Sequence, residues 1–143
     1  MTRPPFNRES ALEAAERTLT AWNAHDPANF IRLLSDEPIW KDQDQVIVGR
    51  REIWESLQQK WSRALHLAVD HTLRSHDADA ITLAFEAEWQ DSTRGQWFRT
   101  SGESRLQFDA NGLISCFDTR GHDEPITAGD RRLSLRPSAR GAN

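Results

Sequence analysis

The segment QWFRTSGESRLQF, from Gln96 to Phe108, constrains the fold of this chain more than any other. Alternate residues form a mostly small or apolar set: Phe98, Thr100, Gly102, Ser104, Leu106 and Phe108. The others form a mostly polar set: Trp97, Arg99, Ser101, Glu103, Arg105 and Gln107. Because successive side chains of a strand point to opposite faces, the pattern predicts a strand that crosses a sheet. Gly102 interrupts the apolar face, which indicates a bend or a close approach and hence a curved sheet with a pocket.

Helical spacing and turn signals divide the rest of the chain into further elements. Asn7 can cap a helix over residues 8–25, Asp26 with Pro27 can begin a second helix, and the segment after Gly49 has the apolar spacing of a third. Residues 38–48 predict a short hairpin-like excursion. Strands are expected over residues 67–76, 80–90, 96–108 and 113–122. Helices followed by an antiparallel meander predict an α+β fold, with the helices on one face of a curved sheet.

Composition excludes several classes of partner. The chain has 143 residues, which is enough for one domain with a core. Its net charge of −4 argues against a nucleic-acid partner. The single cysteine, Cys116, excludes an internal disulfide and favours a reducing compartment. No apolar run approaches the ~20 residues of a membrane span, and the N-terminus lacks the apolar core of a secretion signal. We therefore expect a cytoplasmic protein without a membrane partner.

We expect one domain over residues 1–125 and a C-terminal extension over residues 126–143. From Ile126 onward the content of Arg, Ser, Gly and Pro rises and the periodicity disappears. An extension of this composition is either partly disordered or packed on the surface.

Several pieces of the sequence resemble the nuclear transport factor 2-like superfamily, and more closely a subfamily of SnoaL-like proteins. They are RPPF at 3–6, WKDQ at 40–43, VGR at 48–50, GQWFR at 95–99, DEPI at 123–126 and DRR at 130–132. The resemblance implies a cone-like curved antiparallel sheet wrapped around three N-terminal helices, and a homodimer formed through the sheet. It leaves the activity open, because the superfamily includes isomerases, dehydratases, cyclases, epoxide hydrolases and non-catalytic binding proteins.

The chain departs from the subfamily pattern at positions that the resemblance places near the pocket. The subfamily has W-R-N-R at residues 40–43, N-E-N at residues 103–105, a lysine at the position of His71 and E-A-S-I-N-D at residues 118–123. Ser104 therefore stands where relatives carry a carboxylate. These differences imply a substrate that differs from that of the relatives, and activity created by Ser104→Glu would indicate divergence.

The first candidate for chemistry lies on the last predicted strand, where Asp118, Arg120 and His122 alternate and so share one face. A guanidinium favours the ionised form of a neighbouring carboxylate, and histidine titrates near neutral pH. Such a set can activate a water molecule for attack on an epoxide, or transfer a proton at the carbon next to a carbonyl group. The alternative is a solvated face or a salt bridge in a dimer interface.

Asp42 and His71 are the other two catalytic candidates. The resemblance places Asp42 near the pocket mouth, where ketosteroid-isomerase-like relatives keep a general base, and Trp40 beside it favours that role. The alternative is turn chemistry, since Asp42, Gln43 and Asp44 suit a turn. His71 shares a predicted strand face with apolar residues, so it is either a catalyst or a hydrogen-bonded core residue.

The remaining candidates would bind a small apolar organic molecule rather than react with it. They are Trp40, Phe85, Trp89, Phe98 and Ser104. No metal site or cofactor is expected, because the sequence has no HExxH motif and no Cys/His cluster.

Two hypotheses of function follow. In the first, a cofactor-independent enzyme transfers a proton or adds water: Asp42 or Asp118 is the base, Arg120 stabilises negative charge, and His122 or His71 returns the proton. In the second, the chain is a non-catalytic ligand-binding or dimerisation module whose pocket is filled by its own aromatic side chains. A third possibility, an accessory protein of a larger assembly, predicts an exposed apolar patch.

Overall fold

The computed structural model describes residues 2–133 and contains three α-helices, six strands and a short 3₁₀ helix. The helices are α1 (Arg8–Asn23), α2 (Pro27–Ile31) and α3 (Arg50–Arg63). The strands are β1 (Leu34–Asp42), β2 (Gln45–Val48), β3 (Ala64–His76), β4 (Ala80–Asp91), β5 (Trp97–Phe108) and β6 (Ile114–Ile126), and the 3₁₀ helix is Ala128–Asp130. Within residues 2–133, no helix is long and apolar enough to cross a membrane.

The helices begin where the capping residues predict. The Asn7 side chain accepts a hydrogen bond from the Ser10 backbone N–H at 2.8 Å, and Asp26 accepts one from Ala28 at 3.0 Å. These bonds satisfy N–H groups that the first turn of a helix leaves without a partner. α1 ends at Asn23 rather than at the predicted His25, whose φ of 54° cannot continue a helix.

All six strands belong to one sheet, in the order β2-β1-β6-β5-β4-β3. Neighbouring strands are antiparallel except β1 and β6, which pair in parallel. A parallel pair requires a long connection, and here α3 and four strands lie between its members. β6 runs to Ile126, beyond the predicted end near His122, because Ile126 still pairs with Trp97 of β5. The predicted α+β fold with a curved sheet is confirmed.

Two glycines pair with each other across β5 and β6. Gly102 of β5 pairs with Gly121 of β6, and a Cβ atom built on Gly102 would lie 1.9 Å from the Arg120 carbonyl oxygen. A Cβ on Gly121 would lie 3.1 Å from Cζ of Phe85. The two strands therefore approach closely at this point, as the glycine inside the strand pattern predicts.

The helices cover the concave face of the sheet and complete the core. Small residues on α1, including Ala11 and Ala14, are fully buried and let the helix approach the sheet closely. The largest fully buried apolar side chains are Phe30, Leu34, Ile53, Leu57, Ile81, Leu83 and Ile114. Burial of one such side chain contributes about 1.5–3 kcal/mol, so this layer holds the helices in place.

The segment that follows β6 packs on the opposite, convex face of the sheet, over Glu88. This carboxylate is fully buried and accepts hydrogen bonds from the Arg99 guanidinium and from the backbone N–H groups of Arg132 and Leu133, at 2.7–2.8 Å. The hydrogen bond that Arg99 donates to Glu88 raises the pKa of Arg99 above its usual value. Glu88 faces away from the cavity, and the C-terminal segment of the chain covers it.

The predicted extension over residues 126–143 thus begins with a packed part. Arg131 lies over the ring of Trp97 at 4.4 Å from its centroid, and Leu133 is buried. Residues 134–143 lie outside the described part of the chain, so the prediction of disorder is not addressed there.

Acid is expected to weaken the attachment of this segment through Asp130. Its carboxylate accepts hydrogen bonds from the backbone N–H of Thr127 at 3.1 Å and from the Thr127 hydroxyl at 2.9 Å, and these bonds lower the pKa of Asp130 below 3.8. Since the pKa is lower in the folded state, the carboxylate stabilises the fold above pH 3.8. That stabilisation is lost as pH falls through the folded-state pKa.

We therefore expect Asp130→Asn to lower the free energy of unfolding at pH 6, and the gap to the parent protein to close as pH falls below 3.8. Urea unfolding at a series of pH values measures the gap. A gap of the same size at pH 6 and pH 3 would contradict this role.

Candidate functional site

A cavity of about 710 Å³ lies between the concave face of the sheet and the helices. Buried apolar residues line its closed end: Phe30, Trp40, Leu83, Leu106 and Phe117. Exposed polar residues line its mouth: Gln43, Gln45, Gln59, Arg63, Arg94 and Asp123. A largely apolar cavity with a few polar groups is the usual form of a small-molecule site.

Seven of the ten residues selected from the sequence line this cavity. They are Trp40, Asp42, His71, Phe85, Trp89, Phe98 and Ser104. They lie on β1, β3, β4 and β5. The roles assigned to them remain predictions.

Asp42 lies beside apolar residues of the cavity wall and close to the cation of Lys60. It lies two residues after Trp40 on β1, so both side chains share the inward face. The Asp42 Oδ2 atom is 3.6 Å from Nζ of Lys60 on α3, and the Asp42 side chain is 23% exposed. Trp40 is stacked on Phe117 with ring centroids 5.2 Å apart, and Nζ of Lys60 is 5.8 Å from the Trp40 ring.

The alternative reading of Asp42 as a turn residue also has support. Asp42 pairs with Gln45 at the end of β1, and Gln43 has the positive φ of 56° that a tight turn requires. The turn itself is Gln43-Asp44, however, and Asp42 is the last strand residue before it. Asp42 can therefore both end β1 before the turn and place its side chain in the cavity.

His71 lies on β3, at the far side of the sheet from Asp42. Its ring makes an edge-to-face contact with Phe85, its pairing partner on β4, with centroids 6.5 Å apart. Its Nδ1 atom is buried. The histidine is thus packed among apolar groups and also borders the cavity, so both predicted readings of it are geometrically possible.

Asp118, Arg120 and His122 share one face of β6, as their alternation predicts, but that face is the convex one. The β6 residues that line the cavity are Phe117, Thr119, Gly121 and Asp123. Arg120 is exposed and lies 3.5 Å from Asp118, and His122 is exposed as well. The pleat directs their neighbours inward, so these three residues lie outside the cavity lining. Their catalytic roles stay predictions, beside the alternative of a solvated face.

Sequence reasoning missed a chain of hydrogen bonds on the cavity wall. The Trp89 Nε1–H group donates to the Thr100 hydroxyl at 3.0 Å, and that hydroxyl donates to Oδ1 of Asp123 at 2.5 Å. All three side chains line the cavity. The available signal was alternation, because Asp123 alternates with Thr119 and Gly121, but the predicted strand ended at His122, one residue before Asp123.

A second polar pair lies nearer the middle of the cavity wall. The hydroxyl oxygens of Ser104 and Thr119 are 3.5 Å apart, and these residues pair across β5 and β6. Thr119 is in turn the pairing partner of Asp42. Asp42, Thr119 and Ser104 therefore form a polar row on three neighbouring strands.

Metal binding has no support in the described part of the chain. Among residues 2–133, no group of three or more His, Cys, Asp or Glu side chains is placed to hold a metal ion. The prediction that the protein uses no metal or cofactor stays a prediction.

The curved sheet, the helices on its concave face and the cavity between them define a nuclear transport factor 2-like fold, as predicted. The chain matches the solved structure of SalBIII, an epoxide hydrolase/cyclase-like enzyme in pyran ring formation of the polyether salinomycin, with a TM-score of 0.72 and 11% identity. That match covers 81% of this chain and 93% of SalBIII.

Two further structures have the same fold. An NTF2-like protein of unknown function from Exiguobacterium sp. 255-15 matches with a TM-score of 0.69 and 15% identity, covering 78% of this chain and 99% of that one. RV0760c from Mycobacterium tuberculosis, solved in complex with estradiol-17beta-hemisuccinate, matches with a TM-score of 0.66 and 17% identity, covering 76% and 91%. At such identities the likeness shows the fold alone.

Within this fold, the chain belongs to the DUF1348 family, described as proteins of unknown function, whose model matches residues 4–134. No curated protein sequence matches the chain.

Proposed function

We propose that the cavity is the active site of a cofactor-independent enzyme that transfers a proton on, or adds water to, a small apolar organic molecule. The reaction is of the isomerase, dehydratase or epoxide-hydrolase type. The observation that carries this proposal is the position of Asp42, a carboxylate that is mostly buried, borders an apolar wall and has a cation 3.6 Å away. Ionisable groups in a concave, largely apolar site are the usual mark of acid–base catalysis.

Asp42 acts as the general base and Lys60 stabilises the negative charge that develops on a substrate oxygen. In an isomerisation, the carboxylate takes a proton from one carbon and a proton returns to another, so the substrate neither gains nor loses atoms. In water addition, the carboxylate takes a proton from water as its oxygen attacks carbon, and Lys60 or His71 protonates the oxygen that is released. Lys60 thereby takes the part that the sequence hypothesis gave to Arg120.

Aromatic side chains position the apolar body of the substrate. Trp89 and Phe98 are stacked with centroids 4.9 Å apart on one wall, while Trp40 and Phe117 are stacked at the closed end. The volume of about 710 Å³ is in the range of sites for drug-sized molecules. The epoxide hydrolase/cyclase-like description of SalBIII and the steroid derivative bound by RV0760c support this class by analogy of fold alone.

Asp42→Asn is expected to abolish most of the turnover. A panel of epoxides and β,γ-unsaturated ketones, followed by mass spectrometry for water addition and by absorbance for a double-bond shift, identifies a substrate. Removal of a general base lowers kcat by about 10²–10⁴-fold. Asp118→Asn is the matched control, because it makes the same change on the convex face, and it should retain parental turnover. Equal turnover in the parent and Asp42→Asn would exclude Asp42 as the base.

The alternative function is a non-catalytic ligand-binding module, and the ion pair between Asp42 and Lys60 favours it, because a paired carboxylate can be structural. This alternative predicts that estradiol-17beta-hemisuccinate quenches tryptophan fluorescence while no compound of the panel is converted. The predicted homodimer through the sheet stays a prediction, which sedimentation equilibrium tests.

A further inference from the structure

A hydrogen-bonded chain crosses the three strands that form one wall of the cavity mouth. It runs from Nε1 of Trp89 on β4 to the Thr100 hydroxyl on β5 at 3.0 Å, and from that hydroxyl to Oδ1 of Asp123 on β6 at 2.5 Å. Thr100 and Asp123 are direct cross-strand partners. The chain therefore connects a stacked aromatic to a carboxylate at the mouth through one hydroxyl.

The direction of every hydrogen bond in this chain is fixed by chemistry. An indole N–H group can only donate, so the Thr100 oxygen accepts from Trp89. The Thr100 proton is then directed to Asp123, whose carboxylate accepts it. Hydrogen bonds to an ionised acceptor are stronger than neutral ones, so this bond orients the carboxylate. Among residues 2–133, Asp123 makes no other side-chain hydrogen bond, so Oδ2 is available to a ligand.

Packed side chains surround Thr100, the residue that donates a hydrogen bond to this carboxylate. Trp89 is stacked on its cross-strand partner Phe98, and both rings line the cavity. On the convex side of the same strands, Arg99 donates to the buried Glu88 and lies 3.9 Å from Glu124. Packed neighbours on both faces of the sheet therefore restrict movement of Thr100, whose hydroxyl orients the exposed Asp123 carboxylate, as a preorganised site requires.

We infer that Asp123 is a second proton-accepting carboxylate of the cavity. Its positioning residue is Thr100, which accepts a hydrogen bond from Trp89. Asp123 accepts a proton from a C–H, O–H or water group of the substrate complex, and the proton returns to the product in the same turnover. This role rests on the proposed function and extends it, because the base there is Asp42. Asp42 on β1 and Asp123 on β6 both line the cavity, so the two residues act on different atoms of one substrate.

The competing explanation is that this hydrogen-bonded chain only stabilises the pairing of the three strands. The other charged groups that line the cavity could also affect the behaviour of Asp123. They are Asp42, Lys60, Arg63, His71, Asp91 and Arg94. The experiment must therefore detect the protonation of Asp123 itself. Trp89 serves as the probe, because its indole N–H lies at the other end of the hydrogen-bonded chain from Asp123.

The first measurement is the pH titration of the Trp89 indole N–H resonance in ¹⁵N-labelled protein, assigned with Trp89→Phe. We expect one inflection that is absent from Asp123→Asn and Thr100→Val and is kept in Thr100→Ser, which retains the hydroxyl. Ser101→Ala, on the convex face of the same strand, should leave the inflection unchanged. An inflection that survives in Asp123→Asn would overturn the hydrogen-bonded connection to this carboxylate.

The second measurement is turnover of a substrate found in the epoxide and ketone panel. We expect Asp123→Asn to lower kcat about 10²-fold or more and Thr100→Val to lower kcat about 10-fold with less change in KM, whereas Thr100→Ser keeps most of the activity. Parental kcat in Asp123→Asn would overturn the catalytic role of Asp123.

The outcomes separate this inference from the proposed function. Loss of turnover in Asp123→Asn with parental turnover in Asp42→Asn would reject Asp42 as the base and keep Asp123. If no compound is converted, the proposed enzyme fails and the role of Asp123 in it fails too, while the Trp89 resonance still decides whether the oriented carboxylate exists.

Discussion

Gly102→Ala is expected to prevent the formation of the native sheet. A Cβ atom at this position would lie 1.9 Å from the carbonyl oxygen of Arg120 and 2.7 Å from Cα of Gly121. Both contacts are with backbone, so no side chain can rotate away and β5 and β6 would have to separate. Overpacking of this kind costs about 3 kcal/mol or more. Far-UV circular dichroism and urea unfolding of the purified variant measure the loss.

A graded series of alanine variants tests the steric argument. A Cβ on Gly121 would meet the side chains of Thr100 at 3.0 Å and Phe85 at 3.1 Å, which can move, so Gly121→Ala should cost about 1–2 kcal/mol. A Cβ on Gly129 would lie 3.8 Å from the Thr127 hydroxyl, an ordinary contact, so that variant should stay within about 0.5 kcal/mol of the parent. Equal stabilities for all three variants would refute the close approach at Gly102.

The position of Gly102 was predictable, but the atom that it approaches was not. A glycine within a clear apolar alternation indicates a bend or a contact, and both are found. The partner is the backbone of β6, and the sequence says nothing about which strand lies next to β5. The parallel pairing of β1 with β6 escaped prediction for the same reason, because long-range register is not encoded in local alternation.

In the candidate site too, local alternation was not enough to predict which side chains point into the cavity. On β5 one face is mostly apolar and the other charged, so parity alone assigned Phe98 and Ser104 to the cavity, where both lie. On β6 both faces carry polar residues, and composition cannot choose between the face of Asp118 and the face of Asp123. Sequence reasoning preferred the more strongly charged face, whereas the fold directs Asp123 toward the cavity and Arg120 to the convex face.

Glu88→Ala is expected to be the most destabilising single side-chain truncation on the convex face. Glu88 is fully buried and accepts hydrogen bonds from Arg99 and from the backbone N–H groups of Arg132 and Leu133. Without the carboxylate, the guanidinium of Arg99, whose side chain is only 14% exposed, loses its main partner. Removing one member of a buried ion pair costs about 3–5 kcal/mol. Urea unfolding at neutral pH measures this cost.

Glu86→Ala is the matched control for that variant, because it removes the same group from the same face of β4. Glu86 pairs with Arg132 at 2.8 Å, but its side chain is 35% exposed and that of Arg132 is 59% exposed. Exposed pairs contribute about 0–1 kcal/mol, so this variant should unfold close to the parent. Equal losses in the two variants would mean that the C-terminal segment, and not the buried charge of Glu88, accounts for the stability.

The same variant connects the convex face to the cavity. Glu88 and Arg99 directly precede Trp89 and Thr100 in the chain, and alternation directs these neighbours to the opposite face. Loss of the Glu88–Arg99 contact should therefore loosen the strands at the level of Asp123. A shifted Trp89 indole resonance in Glu88→Ala, with no shift in Glu86→Ala, is the expected result. An unchanged resonance in both variants would show that the cavity wall holds its geometry without support from the convex face.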